Sequence, residues 1–403
     1  MKSRASSSDN GGMHDHENFS LMLGGSLFQL LRRVHLSDDA LRLVRRRILF
    51  ISLVAWLPLL LLSAGERHLV PGSATMPFLL DAEVHVRLLV ALPLLIGAEV
   101  LVHRRLGPVA RLFLERHLIP DSGMARFDAA LAAASRLCNA KSAEVLMLAL
   151  VYLVGTQMIG RQYLALDMTT WYVNSSASGT PLSIAGVWYG YVSLAIFQFL
   201  MCRWYFRLFI WARFLWQISR IELRLMPTHP DRFAGVGFLS NTVYAFSLLA
   251  AAHGALLAGL MANRIFFLGA MLTDFKTQFA ALVILLLCIF CGPLLVFAPQ
   301  LARVKRTGSR DYDLLAERYV RSFDAKWLRG GASADDQLVG SLDVQSLADM
   351  DHSVAVVHGM RLLLITRDGI IWTIFAIAVP IAPLIPTVIP FSELLKTLRS
   401  LLF

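Results

Sequence analysis

Seven apolar stretches of helical length alternate with polar segments along this chain. A helix needs about 20 apolar residues to cross a hydrocarbon core of roughly 30 Å, and only helices and closed barrels satisfy their backbone groups there. These runs are longer than the strands of a barrel, so the pattern predicts an all-α polytopic membrane protein. We place the spans at residues 48–64, 84–102, 143–160, 184–202, 238–262, 278–299 and 370–389.

The segments around these spans predict the domain organisation. We expect a disordered cytoplasmic tail at 1–19, an amphipathic interfacial helix at 20–47 and a six-span transmembrane domain at 48–299. Cytoplasmic loops are predicted at 103–142 and 203–237. A cytoplasmic helical hairpin is predicted at 300–369, and residues 370–403 hold a proline-rich last span and a C-terminal amphipathic helix.

The last span differs from the others because prolines punctuate it at Pro380, Pro383, Pro386 and Pro390. Each proline removes a backbone donor and disrupts a helix unless a neighbour repairs it. The span is therefore predicted to be kinked, broken or re-entrant. If it crosses, the C-terminus lies outside; if it re-enters, seven crossings become six.

Charge orients the predicted spans. The lysines and arginines in successive segments number 8, 1, 7, 1, 6, 2, 10 and 2, with Arg87 inside a span, which accounts for all 38. Because basic loops stay in the cytoplasm, the N-terminus is predicted to be cytoplasmic. Anionic lipid headgroups explain this basic bias, so we expect membrane lipids as partners and no nucleic acid.

Composition supports a lipid environment. The chain is 56% hydrophobic and only 16% charged, whereas charged residues make up about 25% of ordinary soluble domains. None of the four cysteines falls in a predicted outer loop, so no disulfide framework is expected. No spacing matches a metal loop or a nucleotide motif, and no cofactor is predicted.

Polar residues at membrane depth are the first candidates for function, because ionisable side chains there are costly. Glu99 is predicted either to pair with an arginine at the inner interface or to accept a proton or cation in a water-filled path. His253 either makes a structural hydrogen bond or has a proton or substrate role. Gln157 and Gln198 are candidate hydrogen-bond partners between helices.

Two charged patterns flank these residues. At the other end of the second span, acidic and basic residues alternate over 81–87, which fits an outer vestibule or the last polar turns. Beyond the fourth span, aromatic and basic residues mix, and its arginines are predicted to snorkel to lipid phosphates. Those arginines are Arg203, Arg207, Arg213, Arg220 and Arg224.

Two strings on the predicted inner side stand out. THPDRFAGVGFLS contains His229 and Asp231, which can cap the next helix or meet headgroups. VGSLDVQSLADMDHS contains Asp343 and Asp349, which supply oxygen ligands at spacings that match no recognised metal loop.

Through HPDRFAGVGFL, RYVRSFDAKW and GSLDVQSLAD, the last half of the chain resembles a group of bacterial integral membrane proteins without an assigned activity. The resemblance implies a bacterial inner membrane and nothing about a substrate. No catalytic residue is carried over from it.

Three functions fit these observations. An oligomeric channel or transporter for an ion or small solute accounts for the polar groups at depth and the proline-broken span. A non-catalytic scaffold would bind a cytoplasmic partner through the inner helical surface. A membrane-embedded enzyme acting on a lipid-linked substrate would need His229, Asp231, Asp343 and Asp349 to meet at the cytoplasmic surface.

Overall fold

The computed structural model describes residues 44–70, 76–164, 170–172, 182–331, 338 and 342–387, with the backbone alone for 154–164. It is 83% helical, and the described residues contain no strand; Met76 and Thr170 form an isolated bridge. The predicted tail, most of the interfacial helix and the C-terminal amphipathic helix lie outside the described residues.

Nine helices make up the described part of the chain. They are α1 (Val44–Gly65), α2 (Ala82–Glu115), α3 (Met124–Cys138), α4 (Lys141–Leu164), α5 (Ile184–Ile218), α6 (Gly237–Leu268), α7 (Leu272–Leu328), α8 (Leu342–His358) and α9 (Arg367–Thr387). Six of them, α1, α2, α5, α6, α7 and α9, are long and apolar enough to cross a membrane. The predicted all-α polytopic fold is confirmed. The remaining predicted span, 143–160, falls within α4.

Five of these six helices change geometry along their length. Wider π-helical turns interrupt α2 at Val86–Ala91 and α5 at Tyr189–Ser193. Tighter 3₁₀ segments open α6 at Gly237–Phe246 and interrupt α7 at Gly292–Phe297. In α9 the α-helix gives way at Val379–Thr387 to a 3₁₀ segment that contains Pro380, Pro383 and Pro386, and Pro390 lies outside the described residues. Such departures mark hinges or functional sites more often than regular helix does.

Helix α6 lies at the centre of the bundle and is the most buried of the candidate spans. Its glycines let neighbouring backbones approach. A Cβ atom on Gly254 would lie 2.2 Å from the carbonyl oxygen of Ile377 in α9, and one on Gly259 would lie 3.0 Å from the Cα of Glu83 in α2. Small residues at such crossings permit close van der Waals packing in lipid.

Helix α7 runs for 57 residues. At 1.5 Å per residue it is about 85 Å long, far more than a hydrocarbon core of about 30 Å. Its distal part packs antiparallel to α8. Tyr319 Oη donates to the Asp343 carbonyl oxygen at 2.9 Å near one end of α8, and His358 Nε2 lies 3.0 Å from Asp313 Oδ1 at the other.

Candidate functional site

The most concentrated buried charge surrounds Glu99, midway along α2. Its carboxylate pairs with Arg47 of α1 (Nη2 to Oε2, 2.8 Å) and with Arg207 of α5 (Nη1 to Oε1, 2.7 Å). Arg203 Nη1 lies 3.8 Å from the same Oε1 atom. All four side chains are buried. We call these residues the Glu99 cluster.

Local structure explains how three helices meet there. Arg203 and Arg207 are four residues apart on α5 and therefore share one helix face. Trp204, between them, donates from Nε1 to the carbonyl oxygen of Leu95 on α2 at 3.0 Å, which fixes the two helices against each other. The Arg207 guanidinium also lies 5.5 Å from the centre of the Trp204 ring. Arg47 enters from the first turn of α1.

A narrow cleft of about 20 Å³ adjoins the cluster, and Arg203 and Arg207 line it together with Glu144 of α4 and Cys138 of α3. Glu144 is buried and attracts Arg203 electrostatically. Burial raises the pKa of the Cys138 thiol, so this cysteine stays uncharged at neutral pH. Three guanidinium groups against two carboxylates leave one positive charge in excess among these residues.

A much larger apolar groove begins where the cleft ends. It has a volume of about 540 Å³ and lies between α1, α4 and α5. Glu144 lines both the groove and the cleft. Most of the wall is aliphatic or aromatic, and its representative residues are Phe50, Val54, Leu148, Tyr191 and Phe199.

His253, the second predicted site residue at depth, is held by two hydrogen bonds. Its Nδ1 atom lies 2.7 Å from the carbonyl oxygen of Leu249, and its Nε2 atom lies 2.7 Å from Tyr205 Oη. A carbonyl oxygen only accepts, so Nδ1 carries the proton and Nε2 accepts from the tyrosine. Both ring nitrogens are occupied, which matches the structural interpretation. Gln198 is half-buried on α5, and the Gln157 side chain lies outside the described residues.

Asp231 organises the loop before α6. Its carboxylate accepts from the backbone amides of Phe233 at 2.8 Å, Gly235 at 3.1 Å and Gly237 at 2.9 Å. His229 Nδ1 lies 3.0 Å from the same side chain. Gly235 has a φ of 98°, a left-handed conformation that glycine adopts at little cost. The carboxylate is therefore engaged in holding the loop together.

Asp343 makes contacts of the same structural kind at the start of α8. It accepts from Lys326 Nζ at 2.8 Å and from Trp327 Nε1 at 3.1 Å, and these bonds lower the pKa of its carboxyl group. Asp349 is exposed one and a half turns further along.

The structure does not bring these aspartates to the loop of Asp231. That loop touches the chain just beyond the far end of α8, where the backbone amide of Arg361 donates to the carbonyl oxygen of Arg232 at 2.8 Å. The 17 residues of α8 separate the two ends by about 25 Å at 1.5 Å per residue. The surface site that an enzyme would need does not form from these four residues. Within the described ranges, no group of three or more His, Cys, Asp or Glu side chains is placed to hold a metal ion.

A second buried polar cluster lies at the start of α2, at the opposite end of the apolar run 84–102 from Glu99. Asp81 accepts from Trp171 Nε1 at 2.9 Å, from Asn263 Nδ2 at 2.8 Å and from the backbone amide of Val84 at 3.2 Å. Next to it, Arg87 bonds both Glu83 and Tyr189. We call Asp81 and its three partners the Asp81 cluster.

Sequence reasoning found Glu99 but missed the rest of its cluster. Arg203 and Arg207 were expected to snorkel outward to phosphates, and instead both turn inward to Glu99 because α5 presents that face to α2. The four-residue spacing of the two arginines was the available signal. Nothing in the sequence distinguished Arg47 from Arg45 and Arg46, or Glu144 from an ordinary interfacial acid.

No family model matches this chain, and no curated protein or solved structure does either. Six apolar helices in an all-α bundle make it an integral membrane protein of the polytopic helical class.

Proposed function

We propose that this protein is a membrane transport protein whose solute is an anion, bound at the Glu99 cluster. The single observation that carries the proposal is the excess positive charge beside the narrow cleft. Buried charges are costly unless they are paired. Arg47 also has an unused donor, since its buried Nε atom meets no hydrogen-bond partner within the described part of the chain. An anion that places one oxygen in the cleft would balance the charge.

The interrupted helices support transport. α2 and α5, which carry Glu99, Arg203 and Arg207, both contain a π-helical turn. Discontinuous helices line the substrate sites of many transporters, and departures from α-geometry are places where a helix can bend. We infer that α2 and α5 move relative to each other when the solute passes.

Orientation and setting are part of the proposal. The basic segments support a cytoplasmic N-terminus, and we propose that the protein lies in a bacterial inner membrane. The Glu99 cluster then lies in the cytoplasmic half of the bundle. A basic mouth favours anions over cations. A homo-oligomer, with its passage within or between copies, fits the same proposal.

Flux through the purified protein in liposomes tests it. Protein-containing vesicles should release a panel of anions, from methyl phosphate to hexadecyl phosphate, faster than empty vesicles, and potassium should not follow. Arg207→Gln removes the excess charge, and we expect it to slow anion release at least tenfold. Arg321→Gln is the matched control, because Arg321 is an exposed arginine that pairs with Glu317 on the distal part of α7.

A second variant distinguishes the loss of excess charge from misfolding as the cause of slower flux. The double substitution Glu99→Gln with Arg207→Gln removes one charge of each sign and keeps the excess, so it should retain more flux than Arg207→Gln alone. If no anion leaves protein-containing vesicles faster than empty ones, the transport proposal is wrong.

Partner binding by the distal helical hairpin is a second candidate function. Large apolar side chains are exposed there, well beyond the length of α7 that a membrane can cover; they are Leu314, Leu315, Val320, Leu328, Leu342 and Val344. Exposed apolar patches often mark protein interaction sites. Replacing Leu314 and Leu315 by Gln should remove the proteins that co-purify with the intact chain, and an unchanged set would eliminate this candidate.

A further inference from the structure

We infer that the anion is the headgroup of an amphiphile whose single apolar chain lies in the groove between α1, α4 and α5. This inference rests on the proposed function and names its substrate class. It requires three things of the structure: a groove open to lipid, a length that suits one chain, and a charged end that selects the headgroup.

The groove opens sideways rather than into the bundle. Phe50, Val145, Leu148 and Tyr191 all line it, and each exposes a large part of its side chain. Phe50 and Tyr191 lie on the candidate spans α1 and α5, and Val145 and Leu148 lie on α4, which contains the predicted span 143–160, so we place the opening against hydrocarbon. A molecule can therefore enter from the bilayer without first crossing water. Its volume of about 540 Å³ falls within the usual range for small-molecule sites, roughly 300–1,000 Å³.

The length of the groove suits one lipid chain. On α4 it runs from Glu144 to Tyr152, and on α5 from Tyr191 to Leu200. At 1.5 Å per residue these segments span about 12 Å and 14 Å. One leaflet of a hydrocarbon core of roughly 30 Å measures about 15 Å. The groove therefore has about the depth of one leaflet.

The charged end begins where the groove stops. Leu200 is the last groove residue on α5, and Arg203 and Arg207 follow it one and two turns later in the wall of the cleft. The cleft, of about 20 Å³, has room for about one water molecule. One headgroup oxygen can occupy that space and accept hydrogen bonds from the arginines. Their planar guanidinium groups suit phosphate and carboxylate.

Glu144 sets the selectivity because it lies at the junction of groove and cleft. Its carboxylate repels an acidic headgroup, whereas the arginines attract it. Neutralising Glu144 should therefore tighten binding, and neutralising Arg207 should weaken it. Opposite effects from two residues of one site are difficult to attribute to general damage.

Three probes distinguish the contribution of the apolar lipid chain to binding from that of the headgroup. They are hexadecyl phosphate, methyl phosphate and hexadecanol. We would measure their binding to the purified full chain in detergent by native mass spectrometry. Hexadecyl phosphate should bind at least tenfold more tightly than either of the others. Arg207→Gln should reduce its affinity at least tenfold, and Glu144→Gln should raise it severalfold.

A pair of tryptophan substitutions tests the groove without touching a charge. Leu148→Trp fills the groove from its wall and should abolish hexadecyl phosphate binding. Leu146→Trp is the matched control: Leu146 lies on the same helix, exposes 70% of its side chain and lies outside the groove. Its affinity should equal that of the unmodified protein.

Each other outcome has a distinct meaning. If hexadecanol binds as tightly as hexadecyl phosphate, the groove holds any lipid chain and the inference is wrong. If methyl phosphate binds equally well, the solute is a free anion; the inference is then wrong and the proposed transport stands. An unchanged affinity in Leu148→Trp would mean that the chain lies elsewhere, or that another segment of this protein fills the groove. Hexadecyl phosphate binding without any anion flux would remove the transport proposal and leave the amphiphile site.

Discussion

The Glu99 cluster and the Asp81 cluster lie at opposite ends of the apolar run 84–102 of α2, and they differ in how they accommodate buried charge. Asp81 is a lone carboxylate that accepts three hydrogen bonds from neutral donors. Glu99 is a lone carboxylate that faces three arginines. The hydrogen bonds of the first arrangement are complete with the groups present, whereas the second carries more positive charge than Glu99 and the neighbouring Glu144 balance.

The surroundings of the two clusters also differ, because the Asp81 cluster is closed and the Glu99 cluster lies beside open space. Trp171 closes the Asp81 cluster with an aromatic ring that packs edge-on against Phe78, 5.0 Å between ring centres. Beside the Glu99 cluster lie a cleft and an open groove. A closed, hydrogen-bonded network is suited to stabilising a bundle, and an open one with excess positive charge is suited to the anion binding that we propose. Under that proposal, the Asp81 end of the apolar run in α2 has a structural role and the Glu99 end has a role in recognition.

Removing the carboxylate of Glu99 should have the largest effect on stability. Glu99→Gln leaves Arg47, Arg203 and Arg207 buried around a neutral amide, and breaking a buried ion pair on one side costs about 3–5 kcal/mol. The free energy of unfolding can be measured by titrating dodecyl sulfate into mixed micelles and following tryptophan fluorescence. The double variant Glu99→Gln with Arg207→Gln should lose less stability than the two single variants added together, by about 0.5–3 kcal/mol in the free energy of unfolding. A loss below about 1 kcal/mol would show that water already screens the cluster.

Neutralising the other cluster should cost less. Asp81→Asn preserves the size of the side chain and one acceptor oxygen. The new NH₂ group, however, faces another donor, either Trp171 Nε1 or Asn263 Nδ2. One buried donor loses its partner, which costs about 1–3 kcal/mol. The same unfolding titration applies, and anion flux should be unchanged because the Asp81 cluster has no part in binding. If Asp81→Asn impairs flux as much as Arg207→Gln does, the division between a structural end and a recognition end fails.

The fold could be predicted from hydropathy, and the helix ends could not. Because an apolar run indicates how much of a helix lies in lipid, six predicted spans fall inside α1, α2, α4, α5, α6 and α7. The seventh, 370–389, overlaps α9 up to Thr387, where the described residues end. Helical geometry continues past the membrane wherever the following residues favour it. For that reason α5 reaches Ile218 and α7 reaches Leu328, well beyond the predicted ends at 202 and 299.

The candidate site could be predicted only in part. Glu99 attracts notice because an acid in an apolar run is expensive. Its partners depend on how far α5 is rotated about its axis, which the charge pattern does not encode. The sequence therefore indicates how deep a residue lies in the membrane, but it does not indicate which neighbouring helix the residue faces. The same limit applies to Asp343 and Asp231, whose shared side of the membrane suggested a shared site that the length of α8 rules out.

Tyr205 lies between Arg203 and Arg207 in sequence, and it bonds His253. A substitution of Tyr205 therefore tests whether the His253 hydrogen bonds only stabilise the bundle or belong to the proposed anion site. Tyr205→Phe removes the donor to His253 Nε2 and should cost about 0.5–1.5 kcal/mol, the usual net value of one hydrogen bond. Anion flux and hexadecyl phosphate affinity should both stay within twofold of the unmodified protein, because His253 faces Leu249 and Tyr205 rather than the cleft. A severalfold fall in flux with stability maintained would place His253 on the solute's path, and the recognition end of the molecule would then extend into α6.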